Sequence, residues 1–572
     1  MGYDLLFQQA VKYHENGNLS AAENIYRQIL ETAPDNADVL NLMGLIAQAK
    51  GLHDQACGWF YQAIKQAPVA SFYFNLGLSL FNDNKPYEAI EAYQKALSLQ
   101  STMKEAYNYL AEVYRDLGNT TKAIDNYKKA IELDAGYLEA RINLAFMEKN
   151  TTVLEHIAAE NPNNAMAVYY LSLLYDNETA YSFLKSHSFE IYDIQLRLGE
   201  LALKLGREEA LQYFEKALIF NPRSGVALVN LGNIAASNKE FEKAENLYKR
   251  AIELNKDDFA AHAGYGRMLY LDNRKSEALE EYRAAVILNP DSPEVSNNLG
   301  LILKDLGEYT EALGLFFNAF MKNQSQEEYQ INIAETLTLL YYQEPETAQK
   351  IAANWHSKVP DNPFAAHLEA ALKGEKSEIN SIYTQKLFDH FADNYELVLA
   401  NIGYSLPREF RKITGLVKGT LVDLGCGSGL IGVAYQTDFS EINGVYLSEK
   451  MLAKAEGKNC YRRLIKDDII AFMEKEGSTL HPDLITAADV CCYMENLEDL
   501  FKVCAPYPFI FSIEKAGADI KTSQLSPTGR WQHNVDYVAE LVGKYYKNVK
   551  QYQTILRQEN GQDVKGIIFY CQ

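Results

Sequence analysis

A pattern of small and aromatic residues that returns about every 34 positions constrains this chain more than any other feature, because each return marks a helical hairpin that cannot bury its apolar face alone. One unit reads Gly44, Gly51, Ala56, Phe60, Ala63 and Pro68, the next Gly77, Leu80, Ala89, Tyr93 and Ala96, and a third Ala111, Tyr114, Gly118, Ala123, Tyr127 and Ala130. After a degenerate stretch at about 136–190 the frame resumes at Gly199, Ala210, Phe214, Ala217 and Pro222. It continues through Gly232, Ala244 and Tyr248, then Gly266, Ala278 and Tyr282, then Gly300, Ala312 and Phe316. Ala22, Tyr26 and Pro34 mark the first unit, while units near 150–190 and 330–365 follow mainly from spacing. Small residues let the two helices of a pair approach, and the aromatic fills the gap against the next pair. The expectation is an all-α solenoid over residues 1–370 with about 10–11 units.

This pattern resembles the tetratricopeptide repeat (TPR) family. The resemblance implies a concave surface that binds a peptide or protein, and it implies no chemistry. The residue two before the small first-helix position is Asn in several units: Asn75, Asn143, Asn230, Asn298 and Asn332. That position faces the groove in TPR proteins, and a side-chain amide both donates to and accepts from one peptide unit, so such a row can hold an extended chain. The five are therefore candidate substrate-binding residues. The plainer reading is Asn tolerated on an exposed helix face, and Arg197 and Gly264 interrupt the row.

Composition narrows the partners. Fifty-five basic against 76 acidic residues give a formal charge of −21, a field that repels nucleic acid and anionic lipid. No stretch holds the roughly 20 apolar residues of a membrane span. The opening MGYDLLFQQAVKYHENG lacks the basic, apolar and small-residue regions of a secretory signal, and Leu6 departs from the myristoylation pattern. Seven cysteines without C-x-x-C or zinc spacing read as reduced core residues of a cytoplasmic protein, with no metal site.

Beyond about residue 375 the frame is lost. KGEKSEINS reads as a polar linker, placed at 371–382, and a different domain is expected over 383–572. Its focus is GTLVDLGCGSG, a β-rich run from Thr420 to Leu424 leading into Gly425, Gly427 and Gly429. Glycines at a strand-to-helix turn let the backbone approach a ligand at the carboxyl ends of the strands. Gly427, Gly429 and Gly432 also satisfy the dinucleotide fingerprint. Against that reading, Asp423 precedes an extra leading glycine, where a carboxylate can meet the amine of S-adenosylmethionine (SAM), and only about 140 residues follow.

Around the loop stand strand EINGVYLS, helix KMLAKA, Asp468-Ile469, strands PDLITAADV and PFIFSIEK, and a hairpin around Asn560-Gly561. The whole is similar to a class I SAM-dependent methyltransferase, an α/β Rossmann-like domain with an antiparallel last strand. LFDHFADNYE, LGCGSG, DLITAADV, LSPTGRWQH and LRQENGQDVKG resemble the bacterial group of predicted TPR-containing methyltransferases. The resemblance implies that Asp423, Gly425, Gly427 and Gly429 cradle the methionine end of SAM and that Asp468 and Ile469 meet the adenine. It also places Ala487 to Asp489 where substrate approaches the methyl group. Asp468 can equally serve as an ordinary helix N-cap.

One position departs from that family. Where its members read G-V-D-L-S, with the Asp on the ribose hydroxyls, this chain has Tyr446 before Leu447. Losing that charge-assisted pair costs about 1.5–3 kcal/mol, roughly ten- to a hundredfold in affinity. Glu449 or the Tyr446 hydroxyl can replace it in part. For the chemistry, Asp489, Glu495, Glu514 or His533 can relay the proton of an amine acceptor, and His533 reads equally as a surface or helix-starting residue. Phe388, Phe391 and Tyr395 fall on one helical face, either a lid over the cofactor or plain core. The expectation is a methyltransferase acting on a polypeptide held by the TPR groove. The alternatives are a TPR adaptor with an inactive domain and a small-molecule methyltransferase localised by its repeats. A TPR-linked glycosyltransferase is disfavoured, since the C-terminal segment is short for two nucleotide-fold lobes.

Overall fold

The computed structural model describes residues 3–376, 381–559 and 562–572. The chain forms two compact units, Met1–Ile234 and Ala235–Gln572.

In the first unit helices follow one another in pairs, from Tyr3–Glu15 with Leu19–Thr32 to Tyr192–Lys204 with Ala210–Phe220. The packing explains the period. A Cβ on Gly44 would lie 2.5 Å from the Phe60 ring, one on Gly77 2.7 Å from Tyr93, and one on Gly199 2.7 Å from Phe214. Each first-helix glycine is thus the space that the aromatic of its partner helix fills, and all three rings are fully buried. Asn18, Asn36, Asn119, Asn150 and Asn164 cap helices by accepting from a backbone amide three residues on. The degenerate stretch is still helical: Leu138–Met147, Thr151–Glu160, Ala165–Leu174 and Asn177–His187 have 10 or 11 residues, against 13 or 14 in the regular pairs before them. A helix shorter by a turn loses part of the aromatic frame while keeping the pairing.

In the second unit, pairs continue through Phe259–Leu271 with Lys275–Leu288 and Pro293–Asp305 with Tyr309–Lys322. Here a Cβ on Gly300 would meet the Phe316 ring at 2.6 Å. The region near 330–365 is Glu327–Gln343 and Pro345–Lys358, and Pro363–Lys373 follows. The expected linker at 371–382 therefore opens as the last turn of one helix and closes at the start of another, Ser381–Phe391.

The strands are β1 Thr420–Leu424, β2 Glu441–Tyr446, β3 Arg463–Lys466, β4 Leu484–Ala487, β5 Phe509–Lys515, β6 Ser523–Leu525, β7 Trp531–His533, β8 Val549–Glu559 and β9 Gln562–Cys571. β3, β2, β1, β4 and β5 lie side by side, all parallel. β9 then pairs antiparallel with β5, and β8 with β9. Asn560 and Gly561, where the hairpin turn was expected, lie outside the described residues. β7 pairs with Glu514 and Lys515, beyond the last β4 partner on β5. One face carries Phe472, Leu500, Phe501, Val538 and Leu541 over the strand residues Phe509, Phe511 and Phe569. The other carries Leu406, Phe410, Ile431 and Tyr435.

Repeat helices and sheet pack together within this unit. His367 Nε2 lies 2.9 Å from the Gly529 carbonyl and Thr338 Oγ1 3.4 Å from that of Pro527. Ala371 joins Leu525 and Trp531 in one apolar cluster. Compactness therefore does not divide at the change of composition near 375. Among the described residues no helix is long and apolar enough to cross a membrane.

Candidate functional site

The strand order changes direction between β1 and β4, where connections leave to opposite sides and a crevice opens at the carboxyl ends. A cavity of about 600 Å³ lies there, within the ordinary range for a small-molecule site. Gly425 after β1, Tyr446 and Leu447 at the end of β2, Asp468 and Ile469 after β3, and Asp489 after β4 all line it. These are six of the residues singled out from the sequence. Phe388, Phe391 and Tyr395 line it too, from the helices that precede β1, and so does Glu495.

Asp423, Gly427, Gly429 and Ala487 are placed otherwise. Asp423 is buried in β1, accepting from the Tyr461 hydroxyl at 2.7 Å and from Thr486 Oγ1 at 2.8 Å. Burial pushes its carboxyl up to about 7, against the two hydroxyl donors that favour the anion. The Tyr461 ring sits where a Cβ on Gly429, Gly432 or Gly444 would be, at 3.0, 2.5 and 2.8 Å respectively, and its hydroxyl accepts from the Gly432 amide at 3.0 Å. Gly429 and Gly432 thus make room for a side chain of the protein itself. Gly427, at φ +53°, has Met451 and Tyr395 as its nearest side chains. Ala487 is fully buried in β4, with Ala488 at the cavity wall in its stead.

Asp468 is an N-cap, its Oδ1 accepting from Ile470 and Ala471 at 2.9 and 3.1 Å, and it lines the cavity as well. Tyr446 stands edge-on to Phe388, ring centroids 5.4 Å apart, and Tyr493 and Tyr395 meet the same phenylalanine at 5.4 and 6.0 Å. Burial raises the Tyr446 phenol well above its usual range. Phe388 is therefore core and cavity wall together, and its helix is tied down where the Ser448 hydroxyl donates to Asp389.

Below these rings lies a cluster of charge. Arg557 donates to Glu514 at 2.5 Å and to Glu559 at 2.6 Å, with Asp489 3.5 Å away. Arg530 Nη1 is 3.6–3.8 Å from Asp489, Glu514 and Glu559. Burial raises the Glu514 carboxyl, opposed by both guanidiniums. Asp489 has φ +57°, a left-handed backbone that costs about 1–3 kcal/mol for a non-glycine residue. His533 lies behind the wall, fully buried, with Nε2 3.0 Å from the Cys491 carbonyl. Burial lowers its pKa, so the neutral ring donates from Nε2 and holds the backbone.

The asparagines pair mostly with one another. Asn75 donates to Asn41 at 3.0 Å, Asn143 to Asn108 at 3.4 Å and to Glu112 at 3.3 Å, and Asn332 to Asn297 at 2.8 Å. Asn230 bonds the Val226 carbonyl of its own helix, and Asn298 bonds Tyr282. Asn143 and Asn332 are buried, whereas Asn75, Asn230 and Asn298 are half-buried. Three of the five amides, those of Asn75, Asn143 and Asn332, thus link successive repeats. Asn41 and Asn108 stand three before Gly44 and Ala111, one place earlier than the row itself, a neighbouring position also visible in the sequence. Arg557 was out of its reach: a bulge between Ile555 and Arg557 breaks the alternation of β8, so Leu556 and Arg557 are both buried.

A family profile described as tetratricopeptide repeat matches residues 7–71, 229–293 and 272–327, and a second of the same description matches 70–103 and 105–137. Human Superkiller complex protein 3 is 27% identical over 293 residues, 46% of this chain and 18% of that protein. The barley protein named probable UDP-N-acetylglucosamine–peptide N-acetylglucosaminyltransferase SPINDLY is 28% identical over 253 residues, 39% of this chain and 27% of its own. Human protein O-mannosyl-transferase TMTC3 is 24% identical over 317 residues, 53% of this chain and 33% of its own. The chain thus spans no more than about a third of these relatives. A crystal structure of a tetratricopeptide repeat protein from Parabacteroides merdae is 19% identical with a TM-score of 0.37, covering 40% of this chain and 97% of that one. Tetratricopeptide repeats are therefore present in both compact units of the chain.

Proposed function

We propose that the α/β domain is a class I SAM-dependent methyltransferase and that its acceptor is a polypeptide captured by the repeats. The observation that carries this is the cavity at the β1/β4 switch point, lined by residues that the family resemblance assigns to cofactor: Gly425, Asp468 and Ile469. The parallel order 3-2-1-4-5 with β9 reversed beside β5 agrees with the antiparallel strand expected of that family. SAM would supply a methyl group already activated on a sulfonium. The protein's part would be to align it and exclude water: Asp468 and Ile469 would hold the adenine end, Phe388, Tyr395 and Tyr493 line the cavity where a ring face attracts a cation, and Asp489 would be the carboxylate at the wall for an amine. Asp423, committed to Tyr461 and Thr486, orders the loop from behind. Relatives whose names describe transfer to a peptide or protein support a polypeptide acceptor. Seven free cysteines support a reducing, cytoplasmic setting.

A second reading, a repeat adaptor whose domain no longer binds cofactor, is favoured by Tyr446 alone. Calorimetric titration of the full chain with SAM separates them. Micromolar binding by the unaltered chain keeps the enzyme, and no heat until Tyr446→Asp supplies the acid leaves the adaptor.

A further inference from the structure

A second cavity, of about 790 Å³, borders the same charge cluster. Tyr309, Leu339, Tyr342 and Gln343 of the repeat helices line it on one side, Glu514 and Glu559 of the sheet on the other. Asp489, Arg530 and Arg557 line the first cavity. The cluster is therefore a shared wall, with the repeats on one side and the candidate cofactor space on the other.

The two arginines in that wall are held differently. Arg557 is 2% exposed and makes two short charge-assisted bonds. Arg530 Nη1 is buried without a hydrogen-bond partner, although it stands 3.6–3.8 Å from three carboxylates. It neutralises charge without bonding. Around it three carboxylates face two guanidiniums, Lys515 and Lys565 line the second cavity as well, and Asp489 and Glu559 keep 15% and 32% of their side chains exposed. A planar guanidinium cannot aim a donor at each of three acids around one nitrogen. A compact ammonium with three rotatable donors can.

We propose that the second cavity admits a lysine side chain of a bound polypeptide, and that its ammonium takes the place of the Arg530 guanidinium among Asp489, Glu514 and Glu559. This rests on the polypeptide-acceptor reading above and names the side chain. The cation then stands at the wall of the first cavity, reached from the repeat side without unbinding the chain that carries it.

The test is fluorescence polarisation with the full chain and a labelled peptide of alternating lysine and glycine, compared with the same peptide carrying norleucine for lysine. The lysine peptide is expected to bind about tenfold tighter or more, the strength of a charge-assisted bond. Glu559→Gln should erase most of that preference, and Arg530→Met should tighten lysine binding by removing the competing cation. Equal binding of the two peptides, or an Arg530→Met protein that folds and binds lysine no better, overturns the proposal. If Arg530→Met does not fold, an unchanged preference in Glu559→Gln overturns it alone. SAM titrated alongside keeps the two readings apart. Cofactor binding without lysine preference sinks the subsite only, and lysine preference without cofactor binding sinks the transferase only.

Discussion

Tyr461 donates to Asp423 at 2.7 Å while accepting from the Gly432 amide at 3.0 Å, so one phenol ties the acid of the glycine loop to the helix that follows it. The loop is ordered by the protein's own side chain, and its acid is a buried acceptor within it. Tyr461→Phe would leave the Gly432 amide without its acceptor and Asp423 with Thr486 alone, and should cost about 1–3 kcal/mol. Chemical denaturation checks this, and a loss near zero would mean the bonds carry little.

Asp423 also makes stability depend on pH. Its folded pKa of about 7 lies above the ordinary 3.8, so between those values the folded state binds more protons than the unfolded one and stability falls as pH rises. Below about 4 the contribution is fully present, and above about 7 it is gone. The melting temperature of Asp423→Asn should fall less than that of the unaltered protein between pH 5 and pH 8. Parallel curves would remove Asp423 as the source.

The small-to-aromatic frame gives a paired test in the first unit. Gly77→Ala forces a methyl to 2.7 Å from the Tyr93 ring, an overpacking expected to cost about 1–3 kcal/mol. Gly58→Ala lies in the helix His53–Gln66 with nothing within 4 Å of the new carbon and should stabilise by about 0.5–1 kcal/mol. Opposite shifts in melting temperature are expected, and a shared sign would contradict the packing account.

How far the chain could be read before its structure follows the same physics. Repeats were legible because a glycine opposite a ring recurs at fixed spacing, as in Gly44 with Phe60 and Gly300 with Phe316. Strands β1, β2, β4 and β5 were legible as apolar runs, and the loop after β1 led to a cavity that Gly425, Tyr446, Asp468 and Asp489 do line. What was hidden depends on contacts far apart in sequence. Nothing local marks Tyr461 as the reason for Gly429, Gly432 and Gly444, and a bulge turns Arg557 inward against the alternation. The asparagine row was visible, but its pairing across repeats, Asn41 with Asn75 for one, needed the fold.

The pair Arg557 and Glu514, 2% and 3% exposed, should behave as a buried ion pair. Arg557→Met alone strands a buried carboxylate and should cost about 3–5 kcal/mol. Adding Glu514→Leu should restore much of that. A double variant no more stable than the single would show that the two do not act as a pair.

The central claim is that the cavity binds SAM despite the tyrosine at the ribose position. Titrating the full chain with SAM by calorimetry, beside Tyr446→Asp, tests it most directly. The account predicts micromolar binding by the unaltered chain and a tightening of roughly tenfold or more when the acid is supplied. Absence of heat from the unaltered protein, shown to be folded, would contradict it whether or not Tyr446→Asp binds.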